Sequence, residues 1–231
     1  MNKGIQKIFA EVPKTYELVN HVLTFSMDIL WRKRAAKIAA GSGGTQWIDM
    51  CTGTGETARY LRKFAHEDPR IFAADFSLPM LSEAKSKSRG KHIRFLISDV
   101  KKLPFCDNTF DLITISFAAR NINLNRPTLI QCFREFHRVL KPGGLFVNVE
   151  TSQPSIGVIR KFYHLYVHLF IKPIGAFLSG SKVGYRYLSS TIPRFYFPEE
   201  LVEIFRISGF NEIRFETLFF GVAAIHQGRK Q

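Results

Sequence analysis

The segment Trp47–Glu56 reads W-I-D-M-C-T-G-T-G-E and gathers residues suited to holding a ligand. Gly53 and Gly55 permit a sharp turn and a close approach of the main chain to a bound molecule. A pyrophosphate loop asks for G-x-G-x-x-G, and position 58 is Ala, which only the looser form of that pattern admits. Alone, the two glycines suit a tight structural turn as well as a ligand loop. Context favours the second. Asp75 lies twenty residues beyond Gly55, where a carboxylate can accept hydrogen bonds from ribose hydroxyls. Asp49 precedes the loop and can brace its amides or meet an amine. Asp99 can accept from an adenine amino group, and Ser116 adds a hydroxyl. Each acid alone suits a cap or a loop; together, one polar group at each of four strand ends, they favour a nucleoside site.

The elements that position these residues follow from hydrophobic periodicity. Short β-branched and aromatic runs predict strands at T-Q-W-I-D-M-C, R-I-F-A-A-D, I-R-F-L-I-S, F-D-L-I-T-I-S-F and L-F-V-N-V-E. Helix-period stretches fall between them near Glu56–Phe64, Pro79–Ser88 and Pro127–Leu140. The alternation predicts an α/β fold with a parallel sheet covered on both faces, and the nearly continuous apolar strands agree. Pro142–Gly144 is expected to end a helix and turn the chain into the next strand. Residues 46–150 form this core. Residues 1–45 read as helical, and 198–231 as a helix near Pro198–Ser208 followed by two strands. The whole chain is read as a single domain. Residues 151–197 form an insertion with no Asp or Glu, six Lys/Arg and many aromatics.

Composition bounds the function classes. With 231 residues, 45% hydrophobic and 23% charged, the chain can bury a full core without a metal or disulfide staple. Cys51, Cys106 and Cys132 are odd in number and widely spaced, which fits a reducing compartment and no zinc knuckle. No His/Cys/carboxylate run has metal-ligand spacing, so no metal is expected. The +14 net charge favours anionic partners. The N-terminus lacks an apolar signal region, and Tyr163–Leu178 is too interrupted to span a bilayer, so a cytoplasmic protein is expected.

D-M-C-T-G-T-G-E, A-D-F-S-L-P-M-L, S-D-V-K-K-L-P-F and F-H-R-V-L-K-P-G-G resemble the ordered motifs of class I S-adenosylmethionine-dependent methyltransferases. The resemblance implies a Rossmann-like, doubly wound sheet of seven strands, mostly parallel with one antiparallel strand near its end. Beyond the common core, Ile8–Arg34, Asp107–Asn121, E-T-S-Q-P, G-Y-R-Y-L-S-S-T-I and G-V-A-A-I-H-Q-G resemble the ubiquinone/menaquinone C-methyltransferase family. The sequence departs from that family's usual motifs at Pro13, Glu17, Val19, Ala118–Ala119 and Tyr196–Phe197, around the expected substrate side.

What the resemblance implies is specific. S-adenosyl-L-methionine would be held by Asp49, Gly53, Thr54, Gly55, Asp75, the Asp99–Val100 pair and Ser116. The acceptor would be a reduced polyprenyl quinone precursor, a benzoquinol or a naphthoquinol, methylated on a ring carbon. Arg120 and Asn121 are the catalytic candidates: Arg120 to stabilise a phenolate, Asn121 to hold the other oxygen. An arginine here also suits a surface ion pair. Tyr16 and Tyr185 would close over the substrate, although such aromatics equally suit packing, and His226 suits a core histidine. The insertion would wall a prenyl pocket and meet anionic headgroups through Arg160, Lys161 and Lys172, giving peripheral contact with the inner face of a membrane. A homodimer fits the family. The nearest alternative is another small aromatic acceptor. Nucleic-acid methylation on nitrogen asks for an Asp/Asn-Pro-Pro-Tyr loop where this chain has Phe117-Ala118-Ala119-Arg120, so no nucleic-acid partner is expected.

Overall fold

The computed structural model describes residues 13–231, so Ile8–Val12 of the N-terminal family stretch lie outside the described residues. Two helices come first, α1 (Pro13–Leu23) and α2 (Met27–Ala40). The alternating core follows as β1 (Gln46–Met50), α3 (Glu56–Phe64), β2 (Arg70–Asp75), α4 (Leu78–Lys87) and β3 (Ile93–Ile97). It continues through β4 (Phe110–Ser116), the short α5 (Ala119–Ile122), α6 (Arg126–Val139) and β5 (Leu140–Thr151). The acid-free insertion is helical: α7 (Gly157–Tyr166), a π-helical turn at Val167–Ile171, α8 (Lys172–Ser179) and α9 (Lys182–Thr191). The chain ends with α10 (Pro198–Ile207), β6 (Asn211–Leu218) and β7 (Ala223–Arg229).

All seven strands form one sheet in the order β3-β2-β1-β4-β5-β7-β6. Neighbours from β3 to β5 are parallel, and β7 runs antiparallel to both β5 and β6. Strand order reverses between β1 and β4. The carboxyl ends on either side of such a switch point diverge and leave a crevice for ligands. One expectation is modified. Instead of separating helix from strand, Pro142–Gly144 sits inside the β5 ladder: Leu140 pairs with Phe110 and Leu145 with Leu112, so the residues between bulge outward. Gly143, at φ +76°, supplies the left-handed residue this bulge needs.

β4 is buried at almost every position, as an apolar strand covered on both faces must be. On one face Phe146 meets Phe133 edge-on at 5.1 Å and stacks on Phe205 at 4.9 Å, tying α6 and α10 to β5. Each such pair adds roughly 0.5–1.5 kcal/mol beyond its buried area. A smaller cluster joins α1 to the insertion through Val19, Leu23, Val167, Ile171, Tyr185 and Ile192. It depends on Gly175, because a Cβ there would collide with the Tyr185 ring.

Candidate active site

The loop after β1 is shaped by left-handed residues at Cys51, Gly53 and Gly55. A Cβ on Gly55 would press within 3.0 Å of Ala84 in α4, whereas one on Gly53 would meet nothing within 4 Å. Gly55 therefore serves helix packing, and Gly53 faces open space. Behind the loop, Asp49 and Thr114 are register partners on β1 and β4. Their adjacency lets the Thr114 hydroxyl donate to Asp49 Oδ1 at 2.6 Å, while Thr52 Oγ1 donates to Oδ2 at 2.6 Å. Burial pushes the Asp49 carboxyl up to about 6, against the pull of those hydroxyls. At the end of β2, Asp75 Oδ2 accepts the Gly53 amide at 2.8 Å and Oδ1 accepts the Ser77 amide at 2.9 Å. Burial raises this carboxyl too, to about 6. Thr57 Oγ1 donates to Ser116 Oγ at 2.9 Å, fastening α3 to the end of β4.

Gly53, Thr54, Asp75 and Ser116 line one narrow cleft of about 40 Å³, together with Phe76 and Met80. The other four expected cofactor residues are not on its wall. Asp49 braces Thr52 from behind, Gly55 packs on α4, and Val100 is buried in the core. Asp99 is exposed and accepts the Lys101 amide at 3.0 Å. The wall residues fit S-adenosylmethionine by their chemistry: a carboxylate for ribose hydroxyls, two apolar side chains for a base, and a glycine that leaves room for a close approach.

Beside the cleft lies a second, predominantly apolar cavity of about 560 Å³ between α1, α2 and the insertion. Tyr16, Arg32, Phe117 and Asn121 line both, so the polar cleft and the apolar cavity share a wall. Arg120 and Tyr185 line the cavity alone. Arg120 is only 5% exposed, so it is not part of a surface ion pair. Its Nη1 donates to Thr191 Oγ1 at 2.7 Å, and its Nε lies 4.0 Å from Glu150 Oε1. Its own amide donates to Glu150 Oε2 at 3.0 Å, which fixes the start of α5. Arg120 Nε and Asn121 Oδ1 are buried with no hydrogen-bond partner among the described residues. Burial also raises the Tyr16 phenol above its usual range, although Arg32 pulls the other way.

Sequence reasoning missed Arg32 and Phe117. Phe117 follows β4 at φ +54°, and the Arg32 guanidinium lies 4.7 Å from the centre of its ring. Arg32 also lies 3.3 Å from Glu56 and 3.8 Å from Asp28. The fold brings His21, Asp28 and Glu56 within 4.8 Å of one another, a grouping invisible in chain spacing. Arg32 supplies the compensating charge for both carboxylates. Glu17 ties α1 over the loop through Arg59 at 3.1 Å and Lys87 at 2.9 Å. His226 is a core residue, stacked on Phe215 and bonded through Nε2 to the Pro198 carbonyl at 3.0 Å.

A seven-stranded sheet in this order, with a cleft at its switch point, is the fold of the class I S-adenosylmethionine-dependent methyltransferases. Solved structures share the fold. A Thermotoga maritima S-adenosylmethionine-dependent methyltransferase superposes with TM-score 0.65 at 16% identity, covering 98% of this chain and 100% of that one. The methyltransferase solved with the Haloferax volcanii Trm112 activator gives TM-score 0.64 at 18% identity, covering 94% and 96%. The chain belongs to the ubiE/COQ5 methyltransferase family, which it matches over residues 1–230. Demethylmenaquinone methyltransferase of Staphylococcus aureus is 34% identical over 228 residues, 98% of this chain and 93% of that protein.

Proposed function

We propose that the enzyme methylates a ring carbon of a reduced polyprenyl naphthoquinone, converting a demethylmenaquinol to menaquinol. The family and the named relative support this reaction. The observation that carries the acceptor is the wall shared by the polar cleft and the apolar cavity. A volume of about 560 Å³ sits within the usual range for pockets that bury a small molecule. Its lining suits an aromatic ring with an isoprenoid tail, and Tyr16, Arg32 and Asn121 supply polar groups where the two spaces meet.

Bound S-adenosylmethionine supplies a methyl that is already electrophilic, so the protein's task is to orient the acceptor and raise its nucleophilicity. The Arg120 guanidinium offers hydrogen-bond donors and no acceptor, and therefore favours the phenolate rather than taking its proton. Asn121 has a buried Oδ1 with unused acceptor capacity, which suits the second ring hydroxyl. Tyr16 and Phe117 flank the ring at the junction, and Tyr185 helps close the cavity. In the cleft, Asp75 accepts ribose hydroxyls while its bond to the Gly53 amide keeps the loop in shape. A polyprenyl acceptor resides in lipid, so this reading has the enzyme work at the cytoplasmic surface of a membrane. No helix among the described residues is long and apolar enough to cross one.

The test is turnover of methyl-labelled S-adenosylmethionine with chemically reduced demethylmenaquinol and with a matched benzoquinol, both in detergent. Label entering the naphthoquinol in preference supports the reading. Label entering only the benzoquinol moves the acceptor to the ubiquinone branch, and transfer to neither overturns the quinol assignment.

A further inference from the structure

The insertion leaves an apolar face uncovered. No residue of α7 is buried. Val158, Phe162 and Leu165 recur at i, i+4 and i+7, and Leu169 continues the stripe into the π-helical turn. All four are at least half exposed. The stripe leads to the mouth of the large cavity, where Phe162 also forms part of the wall. Phe25, Phe219 and Phe220 complete that rim at 80%, 55% and 71% exposure. These three phenylalanines, from two separate turns, hold left-handed backbone at φ +51°, +44° and +57°. Non-glycine residues adopt this conformation at a cost. The turns thus expend local stability to present phenyl rings to the outside.

The surrounding charge identifies what covers the face. Exposed Lys161, His168 and Lys172 flank the stripe, and residues 151–197 contain no carboxylate side chain. A second copy of a chain bearing +14 would bring like charge against like. An apolar stripe bordered by cations matches an anionic bilayer, with rings entering the headgroup boundary and ammonium groups meeting phosphates. We propose that α7, the following π-helical turn and the phenylalanine rim form a docking surface for anionic lipid, turning the cavity mouth toward the membrane. Resting on the acceptor reading above, this surface lets a polyprenyl acceptor pass from lipid to cavity without crossing water.

The experiment measures binding of the full-length protein to quinone-free vesicles, separating docking from chemistry. Vesicles of phosphatidylcholine with about 30% phosphatidylglycerol are compared with phosphatidylcholine alone, at low and high salt. The variant V158S/L165S/L169S changes exposed stripe positions outside the cavity wall. Wild type is expected to bind the anionic vesicles at least about tenfold more tightly than the neutral ones, and less tightly as salt rises. The variant is expected to lose about tenfold in binding and in turnover of vesicle-borne acceptor, with unchanged turnover of a short-chain acceptor in solution. Equal binding by variant and wild type, or no preference for anionic lipid, overturns the proposal. So does a wild-type dimer that the same substitutions dissolve, which would assign the face to a second copy. Vesicle binding without methyl transfer to any quinol would leave the docking surface standing and remove the acceptor reading alone.

Discussion

Asp75 offers a quantitative test of the cleft. Burial raises its pKa from 3.8 to about 6, even though the Ser77, Gly53 and Phe76 amides favour the carboxylate. The folded, ligand-free protein therefore holds this proton more tightly than the unfolded chain. The stability contributed by Asp75 falls as pH rises from about 4 to about 6 and is level above. Cofactor binding has the opposite sign, because ribose hydroxyls donate to the ionised form. Affinity should thus fall about tenfold for each pH unit below 6, or ~1.4 kcal/mol, and become constant above pH ~7. Asp75→Asn keeps one carbonyl oxygen but turns an NH2 group toward the other amide. It removes the charge that strengthens the ribose hydrogen bond, a difference of roughly 1.5–3 kcal/mol, about 10- to 150-fold in affinity at pH ~7.5. It also abolishes the acid limb. Titration calorimetry with S-adenosylhomocysteine between pH ~5 and ~8 reads both effects. Asp49→Asn is the control, since Asp49 titrates in the same range but lies off the cleft wall. Affinity within twofold of wild type for Asp75→Asn, or an unchanged acid limb in that variant, would refute the assignment of ribose binding to this carboxylate.

Three further outcomes are expected. Arg120→Met should lower kcat about 100-fold or more with little change in cofactor affinity, and shift the alkaline-favouring limb of the pH–rate profile upward, because the phenolate loses its cation; Arg120→Lys should recover part of the rate. Gly175→Ala should destabilise the helical insertion by ~1–3 kcal/mol through collision with Tyr185, raising KM for the acceptor while calorimetric cofactor binding is preserved. His226, whose pKa burial lowers from 6.5 to about 4, should contribute stability that is complete above pH 6.5 and fades as pH falls toward 4. The gap between wild-type and His226→Phe urea-unfolding curves should change by up to ~3 kcal/mol across that range.

Legibility in the sequence followed the locality of the signal. β1 to β4 and the helices Glu56–Phe64, Leu78–Lys87 and Arg126–Val139 appear close to where periodicity indicates, because each strand is an apolar run; the early start of β5 at Leu140 and the short α5 carry no such signal. The first turn of α4 starts slightly earlier than expected, since the Ser77 side chain caps it from the residue before. The placement of Gly53 and Asp75 at strand ends is legible, but the bond between them depends on the pairing of the adjacent parallel strands β1 and β2. A bracing role for Asp49 is legible too, but not its partners: it accepts the Thr52 and Thr114 hydroxyls rather than loop amides, and Thr114 becomes its neighbour only through the β1–β4 register. Arg32 gives no local sign of function either. Its place between cleft and cavity depends on how α2 lies across the sheet and where Phe117 turns after β4. In the insertion, aromatic content pointed to a pocket, yet only the packing of α7 separates residues that wall the cavity from those that face outward.

The account rests on carbon methylation of a reduced ring, and one measurement addresses it most directly. Methyl-labelled S-adenosylmethionine is turned over with demethylmenaquinol and, in parallel, with its oxidised quinone, and the product is mapped by mass spectrometry and NMR. The prediction is label on the ring carbon of the naphthoquinol, dependent on reduction of the acceptor. Label on a ring oxygen, or equal transfer to the oxidised quinone, would contradict it.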